Sequence, residues 1–179
     1  MPVDMKQYIA DAAERLIEEK RAKKLTVTDI VEECAITRQT FYYHFEDIPD
    51  LINWMLKQEF EKAAREINRS GGNLEYAMRR FLETAMSKEV VMKRVLATNY
   101  GDVIRQLLIQ NMRAYLLQLI EEKRLFADAT RLELKVIVNY YVYAIAGVLN
   151  EWDSLKTEDI DKVAHQIYLL VTGQQYLSE

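Results

Sequence analysis

What most restricts this chain is how rarely anything interrupts a helix. Its 179 residues include only two prolines and five glycines, while half of all residues are hydrophobic. Apolar residues recur three and four apart, almost never in alternation, amid much Leu, Ala, Glu, Lys and Arg. Glycine and proline are the residues a helix tolerates least, and an apolar stripe of period 3.6 is what a helix buries. The expected class is therefore all-α, with about nine helices. The chain is long enough for a sizeable core in one or two domains.

Residues 26–45, T-V-T-D-I-V-E-E-C-A-I-T-R-Q-T-F-Y-Y-H-F, read as two short helices joined by a tight turn. Thr26 followed by Asp29 resembles a capping box, with an acid where Glu or Gln is usual. The Thr26 hydroxyl suits a free amide of the first turn, and Asp29 suits the positive helix end. Ile30, Val31 and Cys34 share one side, and Ala35-Ile36 makes the turn. Thr37 caps the second helix, which holds Arg38 to Phe45. Phe41 and Phe45 are four apart, so they face one way and pack on Ile30, Cys34 and Ile36. Gln39, Thr40, Tyr42 and Tyr43 lie largely on the far side. Arg38 stands at the N-terminal end, where a recognition helix touches bases. Arg suits guanine and Gln suits adenine, which makes Arg38, Gln39, Thr40 and Tyr43 the base-reading candidates. Tyr42 and His44 suit phosphate oxygens. Thr26, Thr28 and Thr37 complete the expected DNA-contacting set.

This wording resembles the tetracycline-repressor (TetR) family of bacterial regulators over residues 5 to about 60. The likeness is strongest at T-V-T-D-I and F-Y-Y-H-F. The family pattern runs small hydroxyl, basic, small, small, aliphatic, Tyr, variable, His, Phe; here it is Thr37 through Phe45. Gln39 stands where many members have Gly, Phe41 where many have Leu or Ile, and Ile48 where a phosphate-touching Lys is common. R-Q-T-F-Y-Y-H-F is closer to the branch that includes the activator of dihydroxyacetone kinase genes. The resemblance implies a three-helix helix-turn-helix domain over residues 1–47, a connecting helix over 48–70, and an effector-binding, dimerising domain over 71–179. Repression is the default it implies.

Charge sits awkwardly with such a role. The net charge is −4, and residues 1–46 hold seven Lys or Arg against nine Asp or Glu. DNA affinity leans on cationic contacts to phosphate. The cations must therefore be gathered on one face. Lys20, Arg21, Lys23 and Lys24 cluster before the turn, as a phosphate-binding run or a solvated one.

The first helix spans residues 4–21, with Tyr8, Ile9, Ala12, Ala13, Leu16 and Ile17 at helical spacing. Asp47 caps the connecting helix, Pro49 sits in its first turn, and it runs to about Arg69. Ser70-Gly71-Gly72-Asn73 is the clearest linker. Further helices are expected over 74–86, 88–98, 102–126, 130–153 and 158–173, with Asp102 capping the third of these. Val136 to Asn150 is a fifteen-residue uncharged run containing Asn139 and three Tyr. It reads as too short and polar to span a bilayer. It is apolar nearly all round, so a partner subunit is the simplest cover for its second face. Ala144, Gly147 and Val148, with Ile160, Val163, Ala164, Ile167 and Val171, are the expected dimer contacts, in a four-helix interface between two chains. The resemblance implies the same pair of helices.

Tyr100, Met112, Tyr115, Asn139, Tyr140, Tyr143 and Trp152 are candidates to line an effector cavity, or else to serve as core and interface. His44 and His165 fall in separate helices with no metal spacing, and no phosphate loop or nucleophile elbow is present. Neither catalysis nor a cofactor or metal is expected. The single cysteine and the charged residues 1–20 suit a cytoplasmic protein with no signal peptide. The reading is a homodimeric regulator on palindromic double-stranded DNA, responsive to a small-molecule or protein effector and not membrane-bound. The alternatives are a coactivator docking a kinase-like protein, and a small-molecule carrier that has lost DNA binding.

Overall fold

The computed structural model describes residues 4–19, 24–69, 73–151 and 159–172, and among these there are nine helices and no strands. They are α1 (Met5–Glu19), α2 (Val27–Glu33), α3 (Arg38–His44), α4 (Ile48–Arg69), α5 (Leu74–Ser87), α6 (Glu89–Leu96), α7 (Gly101–Lys123), α8 (Arg131–Asn150) and α9 (Ile160–Thr172). Lys20, Arg21, Lys23, the linker residues Ser70 to Gly72, and Trp152 lie outside the described residues.

The chain forms two compact units that interleave along its length. One is Met1–Gln58 with Lys88–Leu108; the other is Glu59–Ser87 with Ile109–Glu179. The linear partition at residues 47 and 70 follows chain order, whereas contact returns α6 and the start of α7 to the first unit. α4 and α7 each supply residues to both units.

In the first unit Ile9, Ala12, Ala13, Leu16 and Ile17 of α1 are buried with Ile30, Cys34, Phe41, Phe45, Leu51, Ile52 and Leu56. Tyr8 sits at the edge of this stripe, its hydroxyl donating to the Cys34 carbonyl at 3.3 Å. α2 and α3 have seven residues each, too short to persist alone. Burial holds them, at about 1.5–3 kcal/mol for each large apolar side chain. α6 adds Val95 to the same core, and α7 adds Ile104. Arg94 of α6 donates to the carbonyls of Ile17 and Glu18, satisfying the last turn of α1, which has no basic residue of its own. Lys88 pairs with Glu14 on the same side.

α7 begins one residue before the expected cap. Asp102 lies inside it, and the Tyr100 carbonyl accepts from the Ile104 amide at 2.9 Å. A Cβ on Gly101 would come within 2.1 Å of the Leu96 carbonyl oxygen, so only glycine fits this close approach. The helix ends at Lys123 rather than near Phe126. Arg124 and Phe126 have positive φ, and the Leu125 amide turns back to the Ile120 carbonyl at 2.9 Å.

In the second unit α9 lies along α5, with Ala164 against Leu82 and Val148, Ile160, Val163 and Ile167 around them. Arg79 pairs with Asp161 at 2.9 Å and Glu75 with His165 at 2.6 Å. Arg113 of α7 donates Nε and Nη2 to the Asn139 amide oxygen of α8, at 3.2 and 2.9 Å. The Tyr141 hydroxyl of α8 donates to the Val171 carbonyl of α9 at 2.9 Å. A full capping box between Thr130 and Glu133 starts α8.

The uncharged run sits in α8, a 20-residue helix with mean hydropathy 1.4 over 18 of those residues, a length and composition that buried core helices also reach. Val138 and Val142 are buried within its own unit, while Leu132, Val136, Tyr140 and Tyr143 are 61–71% exposed. It is therefore not amphipathic, carrying apolar side chains on its buried and its exposed face alike.

Candidate nucleic-acid interface

Local caps fix the two short helices. Thr26 is extended (φ −126°, ψ 156°); its hydroxyl accepts from the Asp29 amide, and the Asp29 carboxylate accepts from the Thr26 amide at 3.1 Å. The turn closes with two backbone bonds, from Ile36 to the Val31 carbonyl at 3.0 Å and from Ala35 to the Glu32 carbonyl at 3.2 Å. That is the Schellman pattern, with Ala35 in the left-handed region at φ 52° where glycine is commonest. Thr37 caps α3, accepting from the Thr40 amide at 3.1 Å, and the two hydroxyls lie 2.9 Å apart.

The underside of α3 is apolar. Phe41 and Phe45 are buried, and Lys6 stacks its ammonium 5.3 Å from the centre of the Phe45 ring. Beside them Cys34 is buried, and desolvation pushes its thiol pKa up, with Arg15 opposing. It is a small core residue. The outer side carries Arg38, Gln39, Tyr42 and Tyr43, all exposed, with Tyr43 84% accessible. Tyr43 meets His44 edge to face at 5.0 Å, and His44 is half-buried.

The nine candidates therefore divide by what their polar atoms already do. Thr26, Thr37 and Thr40 hold caps. Arg38 donates Nη2 to the Thr28 hydroxyl at 2.7 Å, a bond between α2 and α3 that no local spacing in the sequence announces. Gln39, Tyr42 and Tyr43 are presented outward. Of the basic cluster, the described member, Lys24, is exposed, and Arg15 pairs with Glu33 at 3.2 Å.

The cavity candidates are dispersed. Met112 and Tyr115 line an apolar hollow of about 40 Å³ with Phe60, Met78, Phe81 and Leu116. Burial, with Glu122 adding to it, pushes the Tyr115 phenol up to about 12. Tyr100 packs against the first unit's core, Asn139 is taken by Arg113, and Tyr140 and Tyr143 face out. Among the dimer candidates, Ala164 is buried and Val148 packs beside it, whereas Ala144 and Gly147 are exposed with open space at Gly147.

Two capped helices around a glycine-like turn, one burying aromatics and presenting polar groups, form a helix-turn-helix. Residues 9–53 match the family described as bacterial regulatory proteins, tetR family. A curated relative, the HTH-type dhaKLM operon transcriptional activator DhaS of Lactococcus lactis, is 32% identical over 54 residues. That alignment takes in 30% of this chain and only 29% of the relative. Over the whole length, a solved structure of a dihydroxyacetone kinase operon activator, DhaS, is similar with a TM-score of 0.66 at 20% identity, covering 96% of each chain. A fatty acid degradation regulator, FadR from Bacillus halodurans, follows with a TM-score of 0.56 at 13% identity over 97% of each. The all-helical fold of both units is thus the fold of these regulators.

Proposed function

We propose that this chain is a transcriptional regulator that binds double-stranded DNA as a homodimer, with the second unit answering to an effector. The observation that carries the reading is α3 itself, anchored by Phe41 and Phe45 and turning Arg38, Gln39, Tyr42 and Tyr43 to solvent. Arg38 and Gln39 are the base-reading pair, for guanine and adenine. Tyr42 and His44 take phosphate. Two such helices entering successive major grooves require half-site centres roughly 34–36 Å apart, or a multiple of that. A palindromic operator follows from the twofold axis.

The dimer contact is α8 with α9. Regulation is a population shift: an effector favours one spacing of the two heads and DNA another. α4 and α7, which belong to both units, are the covalent path for it. The hollow beside Met112 and Tyr115, about 40 Å³, is far below the ~300–1,000 Å³ of small-molecule sites, so a small effector must open it. Such a protein works in the compartment that holds DNA, the cytoplasm, and does so without catalysis or membrane attachment.

Repression is the family default. Activation with a protein effector is the second reading, favoured by the likeness over 96% of both chains to an operon activator. The test is selection of duplexes from a random pool by the purified full-length protein. Enrichment of a palindrome with a guanine and an adenine in each half supports the reading; no enriched sequence overturns it.

A further inference from the structure

Arg38 does not stand free on the reading helix. Its Nη2 donates to the Thr28 hydroxyl at 2.7 Å, and Thr28 belongs to the preceding helix. Thr28 is half-buried while Arg38 is exposed. An unanchored arginine is among the most rotamer-rich side chains, and ordering one at an interface costs binding energy. The guanidinium is a rigid planar fork with five N–H donors, so fixing one nitrogen fixes the directions of the others. One hydrogen on Nη2 is spent on Thr28; the second, with those on Nη1 and Nε, is enough for the O6 and N7 of a guanine. The neighbouring hydroxyls cannot substitute. Thr37 and Thr40 are closed on each other at 2.9 Å, and Thr26 is closed on Asp29 at 2.6 Å.

We infer that Thr28 is a positioning residue, one that holds the Arg38 fork in its guanine-reading direction before DNA arrives. It adds sequence discrimination through Arg38 and makes no phosphate contact of its own. This rests on the DNA-binding reading above. Because Thr28 is on α2 and Arg38 on α3, discrimination at that base also depends on the turn between the helices keeping its geometry.

The experiment uses full-length protein and duplexes selected from a random pool by the unsubstituted chain. Arg38→Ala first identifies the guanine whose preference Arg38 supplies. Thr28→Val keeps the side-chain shape and removes the hydroxyl. It is expected to lower preference for that guanine roughly 3- to 10-fold, the cost of ordering one free side chain. The salt dependence of binding stays unchanged, Thr28→Ser restores the preference, and Thr28→Val adds nothing once Arg38→Ala is present. Thermal unfolding of each variant reports folding. Three results overturn the inference: even weakening on all sequences with a shallower salt slope, an effect that persists in the Arg38→Ala background, or no guanine that depends on Arg38. If the unsubstituted protein enriches no duplex, the regulator reading fails and this inference with it. If it enriches one and Thr28→Val matches it, only the inference fails.

Discussion

The rings of Phe41 and Phe45 lie with centroids 6.0 Å apart and planes inclined at 47°, and neither side chain reaches solvent. One turn of α3 thus plugs the space between α1, α2 and α4. Phe45 in turn meets Trp54 edge to face at 6.0 Å. Removing a ring at this point leaves a void in a tightly packed region. Phe41→Ala is expected to destabilise the protein by about 3–5 kcal/mol, measured by denaturant unfolding. A loss below about 1 kcal/mol would show that the ring is not a structural anchor.

Ala35 holds a left-handed backbone conformation that glycine adopts without strain. Ala35→Gly is expected to raise stability by about 0.5–1 kcal/mol, since relief of strain exceeds the added chain entropy. Thermal unfolding checks this. A fall in melting temperature would mean the turn opens in solution.

Gln39→Ala is expected to weaken binding to the selected duplex by about 1–3 kcal/mol and to relax one adenine position. Tyr42→Phe should weaken every sequence alike and leave base preference untouched. Quantitative binding to single-base variants separates the two. A new sequence preference in Tyr42→Phe would remove it from the phosphate-contacting set.

On α8, Leu132, Val136, Tyr140 and Tyr143 are spaced four, four and three residues apart and are all exposed. They mark one stripe, and Val148 points inward beside Ala164. Val136→Glu is therefore the cleaner probe of the proposed dimer. Light scattering should read half the parental mass, with the circular dichroism spectrum of a folded chain retained. An unchanged mass would place the dimer contact elsewhere.

Burial disfavours the charged form of Tyr115 and, with Glu122 nearby, pushes its phenol up to about 12. A phenol whose folded pKa exceeds its unfolded value of 10 adds stability that is complete below pH 10 and lost as pH rises through 12. The parent should therefore lose stability relative to Tyr115→Phe over that window. Tyrosinate absorbance of the parent minus that of the variant should rise near 12. A midpoint near 10 would show a solvated hydroxyl.

Much of the head was readable because its determinants are local. Thr26 with Asp29 and Thr37 with Thr40 are caps three residues apart, and Phe41 with Phe45 is a four-residue pair. What escaped depends on distant residues. Nothing near Arg94 announces that it will cap α1, 76 positions earlier, and Thr28 carries no mark of its partner ten residues on. The cavity candidates failed to converge for a related reason. Residue type marks Tyr and Asn as candidates, but rotational position on α7 and α8 decides which side chains face Phe60 and which face water. The helix ends at Lys123 and Gly101 were displaced by backbone closures that residue types alone do not reveal.

The return of α6 and the start of α7 to the N-terminal core has a practical side. A shortened protein ending at Gln58 would carry all of α3, yet the places filled by Val95 and Ile104 would be open to water and the last turn of α1 would lose Arg94. A stand-alone reading head must therefore be stitched from two stretches of polypeptide. Grafting only the first onto another scaffold transfers the face proposed to meet DNA without the filling that keeps it rigid.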